Sequence, residues 1–379
     1  MSHLYLHIPF CKQACHYCDF HFSTSMKNKE DMVRAIAQEI GMRKSELPQQ
    51  PLETIYFGGG TPSLLSEKEL GFIFETIQSH FDIVRDAEIT LEANPDDLTP
   101  AKIKSLKNSP VNRLSIGIQS FRDSDLKIMN RAHNSDEAER SVKGSQDAGL
   151  VNITADLIYG LPDQSLNDWR ENLHRLIALD VPHLSSYCLT VEPKTALAQF
   201  VTSGKIIPAS EQTASDHFRV LVEETAKAGF EHYEISNFAK EGFIARHNSS
   251  YWKGEAYLGV GPSAHSFEGN TRRWNVANNT AYLKKIFAGE TAYDQEQLSQ
   301  PERYNERVML GLRAKWGVDT QKLAAEFGSD FAEYFEKEIE PWLSSGDVIK
   351  HETRYTLSSN GRLLADRIAS SAFFTETTH

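Results

Sequence analysis

From residue 4 to about residue 190 the chain alternates short apolar or β-branched runs with longer amphipathic segments. That alternation predicts repeated βα units around a parallel sheet. Six strands are expected, at Leu4 to Ile8, Thr54 to Phe57, Ala87 to Glu92, Arg113 to Gln119, Ile153 to Ile158 and His183 to Leu189. Between them, helical spacing puts Met32, Val33, Ile36, Ala37 and Ile40 on one face, and Leu70, Ile73, Phe74 and Ile77 on another. Boundary residues agree. Ser66 with Glu69 makes a capping box, Thr99-Pro100 is a cap followed by proline at the first helical position, and Gly149 and Gly229 fall where helices should stop.

The strands also predict which way they face, because side chains alternate with period two. In the fourth, Leu114, Ile116 and Ile118 oppose Arg113, Ser115, Gly117 and Gln119; in the third, Ile89 and Leu91 oppose Glu88, Thr90 and Glu92; in the fifth, Ile153, Ala155 and Leu157 oppose Asn152, Thr154 and Asp156. One apolar and one polar face suit an α/β fold in which a curved barrel carries helices outside and a ligand inside. Glu92, Gln119 and Asp156 fall at equivalent heights near the C-terminal strand ends, where barrel enzymes place their sites. Taken singly, each is as well explained as a cap or loop anchor.

Beyond the sixth strand, Ser210 to Ala228 reads as a long helix, followed by polar, aromatic-rich stretches at 232–238, 246–252 and 259–266. Arg272-Arg273-Trp274 fits either a carboxylate grip or a solvated helix start. From about residue 292 helices are expected at Glu302 to Leu312, Thr320 to Phe327 and Phe331 to Trp342. A hairpin over Val348 to Leu357 and a last helix over Gly361 to Phe373 complete an α+β order like that of a winged helix. The expected organisation is therefore a barrel over residues 1–240, a connecting region over 241–291 and a small C-terminal domain over 292–379.

Composition narrows the classes. The 379 residues are 40% hydrophobic, enough for one large core and a small second one. A net charge of −12 opposes nucleic acid as a partner, and residues 301–379 carry 10 Lys and Arg against 13 Asp and Glu, so the winged-helix order reads as a packing or docking module. No run of 18 apolar residues and no apolar segment behind a positive flank is found at the start, so the cytoplasm is the expected compartment.

Three of the four cysteines, Cys11, Cys15 and Cys18, fall within eight positions as C-x3-C-x2-C directly after the first strand. Three thiolates on one tight loop can hold three corners of a [4Fe–4S] cluster and leave one iron open. Zinc, with His16 or His7 as fourth ligand, is the rival, although structural zinc sites usually draw on two separated ligand clusters. A disulfide framework suits three close cysteines poorly. Gly58-Gly59-Gly60-Thr61-Pro62 ends the second strand; successive glycines let backbone groups approach a ligand, but the run is equally a strand-ending turn. His247, beside aromatic residues, could ligate haem iron or hydrogen-bond a turn.

The cysteine loop, Gly58-Gly59-Gly60-Thr61-Pro62, Glu92-Ala93-Asn94-Pro95, Gln119-Ser120-Phe121, Asp156-Leu157-Ile158-Tyr159-Gly160-Leu161-Pro162 and the C-terminal module together resemble the radical SAM superfamily, in its branch around the oxygen-independent coproporphyrinogen III oxidase. His247-Asn248-Ser249-Ser250-Tyr251-Trp252 matches the H-N-x-x-Y-W motif of the HemW-type haem chaperones in that branch. The resemblance implies a partial (β/α)6 TIM-like barrel with the cluster at its open mouth. Cys11, Cys15 and Cys18 would bind three irons, and S-adenosylmethionine (SAM) would chelate the fourth. Tyr5, Tyr17, Gly59, Gly60, Thr61, Glu92, Gln119, Arg131 and Asp156 would line the SAM pocket, and His247 would meet haem. Cleavage of SAM at such a cluster would release a 5′-deoxyadenosyl radical.

As a haem chaperone, the protein would hold haem for an acceptor such as a respiratory, membrane-associated haem protein, with a flavodoxin or ferredoxin as electron donor. The alternative is a radical SAM enzyme acting on a porphyrinogen. Two departures disfavour it: the oxidase pattern has a fourth cysteine where this chain has Phe20, and it has a long extension before the cluster loop, whereas Cys11 stands near the start. Cys188, on the sixth strand, is expected to be a buried small apolar residue.

Overall fold

The computed structural model describes residues 2–48 and 50–375. Strand β1 (Ser2–Ile8) leads to α1 (Lys29–Arg43), β2 (Leu52–Gly59) to α2 (Glu67–His80), and β3 (Ile83–Ala93) to α3 (Pro100–Lys107). Then β4 (Arg113–Gln119) leads to α4 (Asp123–Ile128) and α5 (Ser135–Asp147), and β5 (Ile153–Tyr159) to α6 (Leu166–Ala178) and β6 (His183–Cys188). These six strands pair in parallel in chain order. All six predicted strands are therefore present, and the helix signals hold: Ser66 and Glu69 cap α2 reciprocally, and Thr99 accepts from Lys102 N at the start of α3.

The alternation of side chains explains the curvature. Leu4, Leu6, Ile55, Phe57, Leu91, Leu114, Ile116, Ile153, Ala155 and Leu184 are buried under the helices in one apolar core. The opposite faces of all six strands line one cavity, which requires the sheet to curl around it.

The sheet continues past the barrel at both ends. After α7 (Ala196–Thr202) and α8 (Glu211–Lys227), the hairpin of β7 (Glu231–Glu234) and β8 (Asn237–Ala239) adds antiparallel to β6. After α9 (Arg246–Lys253), β9 (Tyr257–Val260) pairs in parallel with β1, and β10 (His265–Glu268), β11 (Thr271–Asn275) and β12 (Tyr293–Gln297) extend it antiparallel. Helix α10 (Asn279–Phe287) packs on α1. Arg272 to Trp274 thus lie in a strand, not at a helix start; with both faces of β11 partly solvated, no period-two apolar pattern marked it.

A second apolar core, from Tyr304 to Ala372, is separate. It is built by α11 (Gln300–Leu312), α12 (Thr320–Phe327), α13 (Ser329–Ser344) and α14 (Ala365–Ser371) around a sheet of β13 (Val318–Asp319), β14 (Val348–His351) and β15 (Arg354–Leu357). The last predicted helix is split, with a 3-10 turn at Gly361–Leu364 before α14. Among the described residues no helix is long and apolar enough to cross a membrane.

Candidate functional site

The cavity inside the barrel has a volume of about 640 Å³, and Cys11, Cys15 and Cys18 all line its mouth. Their loop is tied down from three sides. Cys11 N donates to Ser23 O at 3.0 Å, His16 N to Met129 O at 3.1 Å, and Asn130 Nδ2 to Ala14 O at 2.7 Å. His16 serves as an anchor: its Nδ1 lies 2.8 Å from Ile128 O and its ring packs edge-on against Phe200. Both nitrogens of His7 are likewise engaged, with Tyr5 OH at 3.2 Å and His21 O at 2.9 Å. His7 is therefore occupied at both ring nitrogens, and His16 at one. Among the described residues no three Cys, His, Asp or Glu side chains converge tightly enough for a single metal ion. The thiols are nevertheless mutual neighbours, since burial pushes Cys18 up to about 11 with Cys15 and Cys11 adding to the shift. Burial raises Cys11 as well, opposed by a hydrogen bond from Thr61 Oγ1 at 3.4 Å.

Behind the loop, Gly59 and Gly60 form a tight shelf. Gly59 has φ +103, and a Cβ there would stand 2.6 Å from the His7 ring; a Cβ on Gly60 would meet Phe10 O at 2.6 Å. Glu92 accepts from Tyr56 OH at 2.7 Å and from Gly59 N at 3.2 Å. Arg131 reaches across the mouth, donating to Cys15 Sγ at 3.3 Å, Asn94 Oδ1 at 2.6 Å and Gly117 O at 2.8 Å, while its buried Nε has no partner. Ser115 Oγ donates to Asp156 at 3.1 Å. Glu92 and Asp156 are both pushed up to about 7, chiefly by burial, with the Glu92 charge adding to the shift of Asp156.

Glu92 stands opposite Ser115, and Ser115 opposite Thr154, so Asp156 lies two residues further along over two strands. That offset is the stagger of tilted barrel strands. Gln119 comes after a register break in β4 and holds φ +67, a left-handed backbone in a non-glycine residue. Tyr5 and Tyr17 complete the wall. All nine residues expected for SAM thus share one cavity with the three cysteines. Cys188 departs from expectation: it is half-buried and lines this cavity, because β6 ends there.

His247 belongs to the barrel floor. Helix α9 plugs the N-terminal ends of the strands, and its first turn is capped from β3, where Glu88 accepts from Arg246 N and His247 N, each at 2.9 Å. Sequence reading missed this cap, because the acceptor lies 159 positions away from His247. The His247 ring stacks on Tyr56 with centroids 5.0 Å apart and is 1% exposed. Its Nδ1 is 2.6 Å from Thr54 Oγ1 and its Nε2 is 2.8 Å from Tyr251 OH. Thr54 Oγ1 continues to His3 Nδ1 at 2.9 Å, and His3 Nε2 to Glu255 at 2.8 Å. Trp252, on another side of α9, lies under Arg313 of the C-terminal domain.

The donor set fits a cluster with one open iron and a charged amino acid beside it. Three free thiols on one loop at the cavity mouth, an arginine with an unpartnered buried Nε, and a backbone shelf closed to any Cβ are what such a group requires.

Comparison with known proteins is concordant with this geometry. The sequence profile of the radical SAM superfamily matches residues 5–176, and that of the HemN C-terminal domain matches residues 298–364. The chain is 34% identical over 372 residues to the Heme chaperone HemW of Bacillus subtilis, covering 97% of this chain and 98% of that one. It is 37% identical over 265 residues to the Heme chaperone HemW of Escherichia coli, covering 69% of each. Among solved structures, the coproporphyrinogen III oxidase HemN of Escherichia coli superposes with a TM-score of 0.85 at 22% identity, over 98% of this chain and 90% of that one. That superposition establishes the α/β barrel fold with its C-terminal domain.

Proposed function

This chain belongs to the radical SAM superfamily, in its HemW haem-chaperone family, and from that premise we propose that it binds haem and passes it to an acceptor haem protein, with a [4Fe–4S] cluster and SAM held at the barrel mouth. The observation that carries the reading is the near full-length kinship to curated haem chaperones. Phe20, 69% exposed where the oxidase pattern has a cysteine, supports delivery over porphyrinogen oxidation.

In this reading Cys11, Cys15 and Cys18 hold three irons. When bound, the cluster supplies one-electron chemistry to SAM. The chain's own groups orient the nucleoside. Arg131 takes the carboxylate through its unpartnered Nε, Gly59, Gly60 and Thr61 border the amine, and Glu92 and Asp156 accept from ribose hydroxyls. Tyr5, Tyr17 and Gln119 wall the pocket and keep water out. His247 as an iron ligand would exchange the Tyr251 hydroxyl for the metal, since Thr54 already holds its other nitrogen. A cytoplasmic location, a flavodoxin or ferredoxin as electron donor and a respiratory, membrane-associated acceptor complete the proposal.

The test is paired. Anaerobically reconstituted protein is titrated with haemin and then mixed with an apo haem protein; it is also incubated with coproporphyrinogen III, SAM and a reductant. A Soret shift followed by transfer, without decarboxylation, is expected. Turnover of coproporphyrinogen would replace the chaperone reading with the enzyme one.

A further inference from the structure

At the end of β3, period-two alternation buries Ala93 in the apolar core and turns Glu92 and Asn94 toward the barrel cavity. Pro95 then fixes the backbone. A residue before proline is held in the extended region, and Asn94 has φ −90 and ψ 146. Asp97 N closes the turn by donating to Asn94 O at 3.1 Å, and Asn94 N donates to Ser63 Oγ at 3.4 Å. The Asn94 side chain is thus aimed by its own backbone.

Its amide closes an arc of hydrogen bonds between two of the cysteines. Oδ1 accepts from Arg131 Nη2 at 2.6 Å, and Arg131 Nη1 donates to Cys15 Sγ at 3.3 Å. On the other side Nδ2 donates to Thr61 Oγ1 at 3.3 Å, and the Thr61 hydroxyl donates to Cys11 Sγ at 3.4 Å. Donor and acceptor senses agree along the whole arc. A guanidinium can only donate, so Asn94 presents its oxygen to Arg131 and its nitrogen to Thr61; Thr61, having accepted, has its proton left for sulfur. Gly117 leaves the room, since a Cβ there would stand 3.2 Å from Arg131 Nη2. Cys18 is served differently, by a backbone hydrogen bond from Phe20 in its own loop. The same turn also grips the middle of the cysteine loop: Lys12 Nζ lies 2.9 Å from Asp96 Oδ2 and pairs with Asp97, which accepts from Ser63 Oγ at 2.6 Å.

Resting on the reading that these cysteines carry a [4Fe–4S] cluster with SAM beside it, we propose that Asn94 is a positioning residue for that centre. Acting through Thr61 and Arg131, it fixes the hydrogen bonds that the Cys11 and Cys15 sulfurs receive, and so raises the reduction potential of the cluster. It also holds Arg131 ready for the SAM carboxylate. Hydrogen bonds to the ligating sulfurs are among the determinants of cluster potential. One-electron reduction places more negative charge on those sulfurs, so donors aimed at them favour the reduced form. The donors must be held in place to do this. Without Asn94 Oδ1, Arg131 Nη2 keeps only Gly117 O, at 2.8 Å, and the Thr61 hydroxyl is free to turn away from Cys11.

The experiment uses the full chain, reconstituted anaerobically with iron and sulfide, as wild type, Asn94→Ala, Thr61→Val and the double variant. Titration with titanium(III) citrate, followed by electron paramagnetic resonance, gives the midpoint potential, and calorimetry gives SAM affinity. Each variant is expected to fall below the wild-type potential. The fall in the double variant should be smaller than the sum of the two single falls, because both substitutions act on the same hydrogen bond to Cys11. Asn94→Ala should also bind SAM about tenfold more weakly, whereas Thr61→Val, which keeps the backbone and the side-chain shape, should bind it like the wild type. A wild-type potential in Asn94→Ala, or falls that add in full, would overturn the role of Asn94 while leaving the cluster in place. If Asn94→Ala holds no cluster, Thr61→Val decides, and an unchanged potential there overturns the proposal too. A wild type that assembled no [4Fe–4S] cluster would instead remove the reading on which this one rests.

Discussion

Gln119 shows how far single residues were legible. Its place at a strand end on the polar face was plain from the alternation, and its φ of +67 was not, because glutamine gives no signal for a left-handed backbone. Such a conformation costs about 1 kcal/mol or more and persists where a site requires it. Gln119→Gly should therefore raise stability by about 1 kcal/mol in denaturant titrations and weaken SAM binding in calorimetry. Equal or lower stability would remove the strain argument. Glu92 and Asp156 carry a second prediction. Burial raises both to about 7, so without ligand the native state holds protons that the unfolded chain has lost above the ordinary carboxylate range. The stability they contribute is complete below about pH 4.5 and is lost as pH rises through 7. From pH 5 to 8 the unliganded wild type should lose roughly 2–3 kcal/mol more than Glu92→Gln, at about 1.4 kcal/mol per pH unit. Parallel pH profiles for the two proteins would contradict the assignment. SAM should flatten the wild-type slope, because ribose hydroxyls stabilise the ionised forms.

At the scale of elements, apolar periodicity located the six barrel strands and most helices, yet it left β9 to β12 unread. The device that fastens them is polar. Glu39, on α1, is fully buried and accepts from Arg43 at 2.8 Å, Tyr282 OH at 2.6 Å, Asn275 Nδ2 at 2.7 Å and Gly261 N at 2.7 Å. Arg43 in turn donates to Gly259 O and Ser266 Oγ and lies under the Tyr293 ring. In sequence, Glu39 and Arg43 are an ordinary i,i+4 pair of the kind that decorates solvated helix faces. Here they bolt the extra strands to α1. Glu39→Ala leaves Arg43 paired with Glu46 alone, at 2.8 Å, and takes the buried acceptor from Tyr282 OH and Gly261 N; it should cost about 2–4 kcal/mol, read as a large fall in the denaturation midpoint. A loss under 1 kcal/mol would mean that the strands are held by apolar contacts alone. Helix α9 makes the same point, since its N-terminal cap comes from Glu88 on β3.

For the whole molecule, two cavities meet along a wall that contains Phe20, Glu92 and Tyr251, one opening under the cysteine loop and the other toward the C-terminal domain. The motif set announced the first cavity from sequence because its residues are concentrated in a few short segments. The second is assembled from isolated residues on β9 to β11 and α11, whose proximity depends on strands that periodicity did not reveal. Both readings of function require three thiolates holding a cubane with one iron left for SAM. Mössbauer spectroscopy of protein reconstituted anaerobically with iron-57 tests this directly. One iron in four should be distinct and should shift when SAM is added, and the cubane signal should vanish on changing Cys11, Cys15 or Cys18. Four equivalent irons indifferent to SAM, or a single mononuclear site, would contradict the account.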